Sequence, residues 1–350
     1  MDKLFAELTE AHGISGFESE VAKIMVRELK KVKGYDVSVD PIGNVVARRE
    51  FKKGAKTVMI GAHMDEIGLM VKSVTKEGFL RFIKIGGIDN RMLLNQRVVL
   101  VTDSGKKIYG VIGSKPIHMM KDDERKQVIE HDKMFIDVGA KDKKSVERLG
   151  IRIGTPAVFD ISTEQLSGGY WTGKAVDDRA GCYALILLAK KLSKSKYNVL
   201  LVGTMGEEVS SIGKGAAISA YREFPDYFIA LDTAIANDHP EVSLEQQPVE
   251  TGKGPAITLV EASARGNIAS SKMVKWLISN AKKKKIPYQL EAVEGGATDA
   301  SRVYGVKTGI PSVAVGIPTR YIHSGVGIVS TKDIDLTVKL LSSCLSSPIE

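Results

Sequence analysis

Two adjacent carboxylates, Glu207 and Glu208, follow the apolar run Val199-Leu200-Leu201-Val202-Gly203-Thr204-Met205-Gly206. A short apolar run closed by glycine reads as a buried parallel strand. The C-terminal ends of such strands are where open α/β sheets place their ligands. Neighbouring carboxylates repel, so both stay ionised only beside positive charge. A metal ion supplies that charge, and the chain offers further ligands in equivalent places.

Five polar residues fall just beyond apolar strands or at a strand–helix junction: His63, Asp177, Glu208, Asp232 and His323. Parallel strands of one sheet bring such positions to one edge. Two imidazoles with three carboxylates suit zinc, cobalt or manganese. The charge count favours two divalent ions, whose four positive charges match three carboxylates and a bridging hydroxide. A single ion leaves a buried excess of negative charge. Five residues are few for two ions, so one carboxylate must be shared. Asp177, which opens the turn Val176-Asp177-Asp178-Arg179-Ala180-Gly181, is the best candidate. Asp65 is placed to orient the His63 ring through its other nitrogen. Glu207 is the expected general base, taking a proton from metal-activated water and passing it to the leaving group.

Taken singly, each residue has an ordinary reading. His63 alone is a hydrogen-bonded histidine, and Asp232 alone a cap or turn residue. The conjunction carries the argument. Met64, Met119, Met120 and Met205 read as packing residues. The segment Gly295-Gly296-Ala297-Thr298-Asp299-Ala300-Ser301 lacks the lysine and spacing of a phosphate loop. It reads as a close backbone approach to substrate, with Thr298 and Asp299 as the contacting residues, and a plain loop stays open as the alternative.

The elements that must position these residues alternate between helix and strand. Helices are expected over Glu18–Lys31, Asp178–Leu192, Gly213–Tyr221 and Lys272–Lys283, and the segment Asp2–Leu8 reads as an amphipathic helix start. Strands are expected at Val37–Val39, Val45–Ala47, Thr57–Ile60, Val199–Val202, Phe228–Leu231 and Pro311–Val315. From about Ile67 to Phe159 the texture becomes short β-type runs punctuated by turns, with a hairpin of Val98–Thr102 and Ile108–Ile112 around Asp103-Ser104-Gly105. The charged stretch Lys121–Lys133 reads as a mobile loop or surface helix. The simplest account is one α/β domain (1–66 and 160–350) interrupted by a β insertion (67–159).

The bulk numbers bound the class. The chain has 350 residues, 43% hydrophobic and 26% charged, as in globular proteins. No stretch is apolar enough to span a bilayer and no signal peptide is read, so no membrane partner is expected. Two cysteines without metal-type spacing point to a reducing cytoplasm. The net charge of +8 raises the question of nucleic acid. The longest basic run, Lys282–Lys285, closes a helix, where cations are favoured. No aromatic residues interleave it and no nucleic-acid motif appears, so no nucleic-acid partner is expected.

The runs Ala62-His63-Met64-Asp65-Glu66-Ile67-Gly68, Val176-Asp177-Asp178-Arg179, Gly206-Glu207-Glu208-Val209, Leu231-Asp232 and Ile322-His323-Ser324 resemble the tetrahedral (TET-type) dinuclear metalloaminopeptidases. So do Asp40-Pro41-Ile42-Gly43-Asn44 and Gly296-Ala297-Thr298-Asp299-Ala300, and the match runs nearly end to end. The resemblance implies a mixed-sheet α/β catalytic domain of the zinc-exopeptidase (phosphorylase/hydrolase-like) type, with an inserted small β-barrel-like dimerisation domain. It implies self-association through dimers to a tetrahedral homododecamer that trims peptides. It implies two divalent metal ions per subunit, zinc or cobalt. His63, Asp177 and Asp232 would bind one and Asp177, Glu208 and His323 the other, with Glu207 as base and Asp65 behind His63. The expected activity is removal of N-terminal residues from peptides. An aminoacylase or carboxypeptidase of the same clan is the nearest alternative. A metal-free glycosidase with two carboxylates and an inactive shell protein are more distant ones.

Overall fold

The structure is a computed structural model that describes every residue except 210–213 and 246. Among the described residues, eleven strands form one mixed sheet. Its centre is parallel: Asn198–Thr204, Thr57–His63, Tyr227–Ile235 and Ser312–Arg320 lie side by side. The antiparallel pair Val45–Arg49 and Asp36–Val39 extends one edge. On the other side, Gly327–Ser330, Tyr170–Gly173 and Glu164–Leu166 continue antiparallel. Ala256–Val260 also pairs with Ser312–Arg320, and Gln289–Ala292 pairs with it in turn.

The central strands are apolar at successive positions because both faces of the sheet are covered. Val58, Ile60 and Ala62 pack into one core with Leu185 and Ile186 of the helix Val176–Lys191. Met59, between them, turns to a second core with Ala216 and Ala220 of the helix Lys214–Glu223. The helices Lys3–Glu10, Ser19–Lys30, Ser271–Lys284 and Thr331–Leu345 join the first core. The helix expected over Gly213–Tyr221 is present from Lys214, and Gly213 lies outside the described residues.

The β-textured interruption forms a closed barrel of Gly68–Val74, Leu80–Ile85, Phe135–Asp137, Lys107–Gly113, Arg97–Val101 and Pro156–Phe159. It has its own core, including Leu69, Leu80, Phe82, Val98, Leu100 and Ile136. The hairpin read from the sequence is there, with Val99 opposite Tyr109. Within Lys121–Lys133 the chain makes one short helix, Asp122–Arg125, and a 3-10 turn, His131–Lys133. Ile14 packs against Val99 and Val158 on the barrel's outer face and joins it to the rest. No described helix is long and apolar enough to cross a membrane.

Candidate metal centre

The parallel register brings the candidate ligands to one edge. His63 ends its strand opposite Thr204, so the chain leaving Thr204 carries Glu207 and Glu208 past His63. Asp232 lies within the neighbouring strand rather than beyond it. That strand runs on to Ile235 because its pairing with Ser312–Arg320 continues to Ile235↔Thr319. Asp177 sits at the start of the helix Val176–Lys191, where it has an extended backbone (φ −80, ψ 110). His323 follows the strand Ser312–Arg320 in the left-handed region (φ 55).

All five side chains converge. His63 Nε2 lies 3.2 Å from Asp177 Oδ1 and 3.8 Å from Asp232 Oδ1. His323 Nε2 lies 3.7 Å from Asp177 Oδ2 and 3.3 Å from Glu208 Oε2. Asp177 therefore presents one oxygen to each histidine. Asp65 is fully buried and acts as a bracket. Its carboxylate accepts hydrogen bonds from the backbone N–H of Glu207 (3.0 Å) and of Glu208 (3.1 Å), and from Ser15 Oγ (2.6 Å). It also stands 3.4 Å from His63 Nδ1, whose nearest partner is the Asp65 carbonyl at 3.1 Å.

Asp178 was not singled out from the sequence, yet it falls in a cluster with His63 and Asp232. Its oxygens accept from the backbone N–H of His63 (3.2 Å) and of Gly181 (2.9 Å). It fixes the end of the His63 strand to the turn that carries Asp177. Gly87, at the mouth of the barrel, was also unmarked. Its carbonyl meets His323 Nδ1 at 2.9 Å and turns the ring so that Nε2 faces the acids. Behind the site, the buried Glu66 accepts from Lys174 Nζ (2.8 Å), and the fully buried Arg179 donates to the Leu8 carbonyl (2.6 Å).

The electrostatics describe a place short of positive charge. Burial, then the neighbouring Asp232, Asp299 and Glu208, drives Glu207 well above the usual carboxyl range. Burial and Asp177 do the same to Glu208. Asp232 is pushed up to about 7, by burial and by Asp177. Burial alone would lower His63, but hydrogen bonds to Asp177 and Asp65 and the charge of Asp232 outweigh it and raise it. Among the described residues, the only ion-pair partners of Asp177, Glu208 and Asp232 are the two histidines. A carboxylate cluster answered only by imidazoles fits bound divalent cations, which repay the desolvation and keep the acids ionised.

The cluster opens on a cavity of about 650 Å³. Thr298 lines it, and its hydroxyl donates to Glu261 Oε1 (2.6 Å). Asp299 stands behind it, buried, accepting from Thr204 Oγ1 (2.8 Å). Of the pair expected to touch substrate, Thr298 faces the cavity and Asp299 supports the strand end.

Known proteins share this fold. Residues 43–340 match the profile of the M42 glutamyl aminopeptidase family. An aminopeptidase from the archaeon Desulfurococcus kamchatkensis superposes with a TM-score of 0.94 at 41% identity, covering 99% of this chain and 94% of that one. The TET1 peptidase of Pyrococcus horikoshii, which can assemble into a tetrahedron or a large octahedral shell, superposes with a TM-score of 0.86 at 32% identity over 99% of both chains. The lysyl aminopeptidase of Pyrococcus furiosus is 32% identical over 345 residues, 98% of this chain and 96% of its own length. The chain thus belongs to the M42 glutamyl aminopeptidase family and is an aminopeptidase, a hydrolase that acts at peptide N-termini.

Proposed function

We propose that the chain hydrolyses N-terminal residues from peptides at a dinuclear metal site. His63, Asp177 and Asp232 hold one divalent cation, and Asp177, Glu208 and His323 the other. The observation that carries this reading is the division of the two Asp177 oxygens between His63 and His323, at 3.2 and 3.7 Å. The cations, zinc or cobalt, supply Lewis acidity toward the scissile carbonyl and the attacking water. Glu207 takes the water's proton on its carboxylate and delivers it to the departing amine nitrogen. A base so placed contributes roughly 10²–10⁴-fold. Its N–H is held by Asp65, so the side chain reaches the cavity from a fixed backbone. The carboxylate-rich edge favours a free α-ammonium group and disfavours an acylated one, which separates an aminopeptidase from an aminoacylase.

Glu207→Gln tests the base assignment. Turnover should fall by about 10³-fold while two metals per chain remain bound. Full activity in that variant sinks the assignment, and turnover of N-acylated peptides in the wild type sinks the choice of substrate end.

The division into a catalytic unit (1–66 and 160–350) and a dimerising insertion (67–159) is part of this proposal. The separate barrel core supports it. The tetrahedral assembly of the Pyrococcus horikoshii relative supports self-association through dimers to a homododecamer. Cys182 and Cys344 are buried free thiols, which fits a reducing cytoplasm.

A further inference from the structure

The strand Gln289–Ala292 is packed inside out. Leu290 is 39% exposed, whereas Glu291 is 5% exposed. Burying a carboxylate is costly unless its oxygens are satisfied, and this one is half satisfied. One oxygen accepts from Thr258 Oγ1 at 2.7 Å, and the other is buried with no partner among the described residues. Its acidic neighbour gives no help. Glu261 already accepts from Thr298 N–H and Oγ1 and from Ser301 Oγ. Burial, and the charge of Glu261, push Glu291 above its ordinary range. The unpartnered oxygen lacks a hydrogen-bond donor, and a cationic donor is the one that also offsets the buried charge.

Glu291 lines the same cavity as His63, Asp177 and Asp232. The sheet fixes how far away it stands. Thr258 is in register with both Glu291 and Ala314, and Ala314 with Ala230, two residues before Asp232. Three strand spacings therefore separate the backbones of Glu291 and the Asp232 strand, about 14 Å. Ala234, Ala314 and Gly316, all small, line the floor of the space between. A Cβ on Gly316 would come within 2.5 Å of the Ala234 Cβ, which keeps that floor bare.

We propose that this space receives the side chain of the substrate's N-terminal residue, and that Glu291 selects lysine or arginine there. The inference rests on the aminopeptidase reading of the same site and adds a substrate class to it. A long aliphatic stem fits the small-residue floor, and its charged end supplies the donors that the free oxygen lacks. An apolar residue would leave that oxygen buried and unmatched. An acidic residue would meet Glu291 and Glu261 together. Among the described residues, Arg302 and the buried, unpartnered Nε2 of Gln247, both on the cavity wall, are the features that speak for an acidic guest. Arg302 is only half-buried and Gln247 is neutral, whereas the orphaned oxygen belongs to a buried carboxylate.

The test is a panel of lysyl, arginyl, leucyl and glutamyl p-nitroanilides on the full-length enzyme reconstituted with cobalt or zinc. The wild type should favour the lysyl and arginyl substrates over the leucyl one by at least roughly 10-fold in kcat/KM. Glu291→Gln keeps the shape and the bond to Thr258. It should lower the lysyl-to-leucyl ratio by roughly 10- to 100-fold, mostly through KM. A wild type that prefers leucyl or glutamyl substrates overturns the inference while leaving the aminopeptidase reading intact, and needs no variant. An unchanged ratio in Glu291→Gln also overturns it. Absence of turnover on all four substrates overturns both.

Discussion

The two halves of the proposed metal centre are built differently. The His63 half is embedded: His63 is 3% exposed and is the last residue of a central parallel strand. Its surroundings, Asp65, Asp178 and Asp232, are fixed by backbone hydrogen bonds and by the sheet. The His323 half is perched: its ring is 39% exposed, its backbone is left-handed, and its Nδ1 rests on a single carbonyl of Gly87. Asp177 joins the halves. One half is thus positioned by the fold itself. The other is positioned by contact between a loop and the barrel. Loss of the first should damage the protein, and loss of the second should damage only the chemistry.

The sharpest way to break this contrast is to remove each imidazole. His63→Ala should abolish turnover by on the order of 10³-fold. It should also destabilise the fold, because it removes a side chain buried among carboxylates that are then left unpaired. His323→Ala should cost comparable activity while leaving the melting temperature within about 2 °C of wild type. It should keep one metal of two. Metal content measured beside thermal melting decides the matter. Equal destabilisation by both variants would mean the halves are not distinct.

The strand ends were legible in both halves. An apolar run closed by polar residues marks a strand end, and His63 in the embedded half and Glu208 in the perched half fall where that pattern puts them. Asp232 was legible as a candidate ligand but not as a strand residue. A carboxylate reads as a terminator unless one knows that Ser312–Arg320 pairs alongside it. The strand Gln289–Ala292 could not be read at all, because its one buried position is Glu291, Gln289 is half-buried and its apolar Leu290 faces out. Inverted patterning is where function overrides the core rule. The support for His323 was illegible for another reason: Gly87 lies 236 residues away in the chain, and a backbone carbonyl leaves no trace in residue type.

A second way to sharpen the contrast is pH. In the metal-stripped protein, Asp232 is pushed up to about 7 and Asp299 to about 6, in each case first by burial. Their unfolded values lie near 3.9. A carboxyl raised on folding binds its proton more tightly in the native state. Its contribution is therefore full below about pH 4 and is lost as pH rises through about 7. The stripped protein should lose about 3–5 kcal/mol between those limits from these embedded groups. Adding cobalt or zinc at pH 7 should restore most of it. Urea melts at pH 4.5, 6 and 7.5, with and without metal, measure the effect. Stability that is flat with pH in the stripped protein would show that these acids stay ionised without a cation.

The smallest expected effect is the most specific to the perched half. A Cβ placed on Gly87 would lie 2.8 Å from His323 Nδ1, closer than side-chain carbons normally approach. Gly87 is exposed, with no positive φ, so its backbone tolerates alanine. Gly87→Ala should therefore push the ring off its carbonyl seat without touching the core. The expected result is a 10- to 100-fold loss of kcat/KM, the usual scale for disturbing a group that orients a metal ligand. Affinity should fall for one metal of the two, with unchanged melting. In a His323→Ala background the same change should add nothing, because its target is gone. If Gly87→Ala lowers activity equally with and without His323, the barrel acts on the site by some other route. The division between a half set by the sheet and a half set by the barrel would then have to be redrawn.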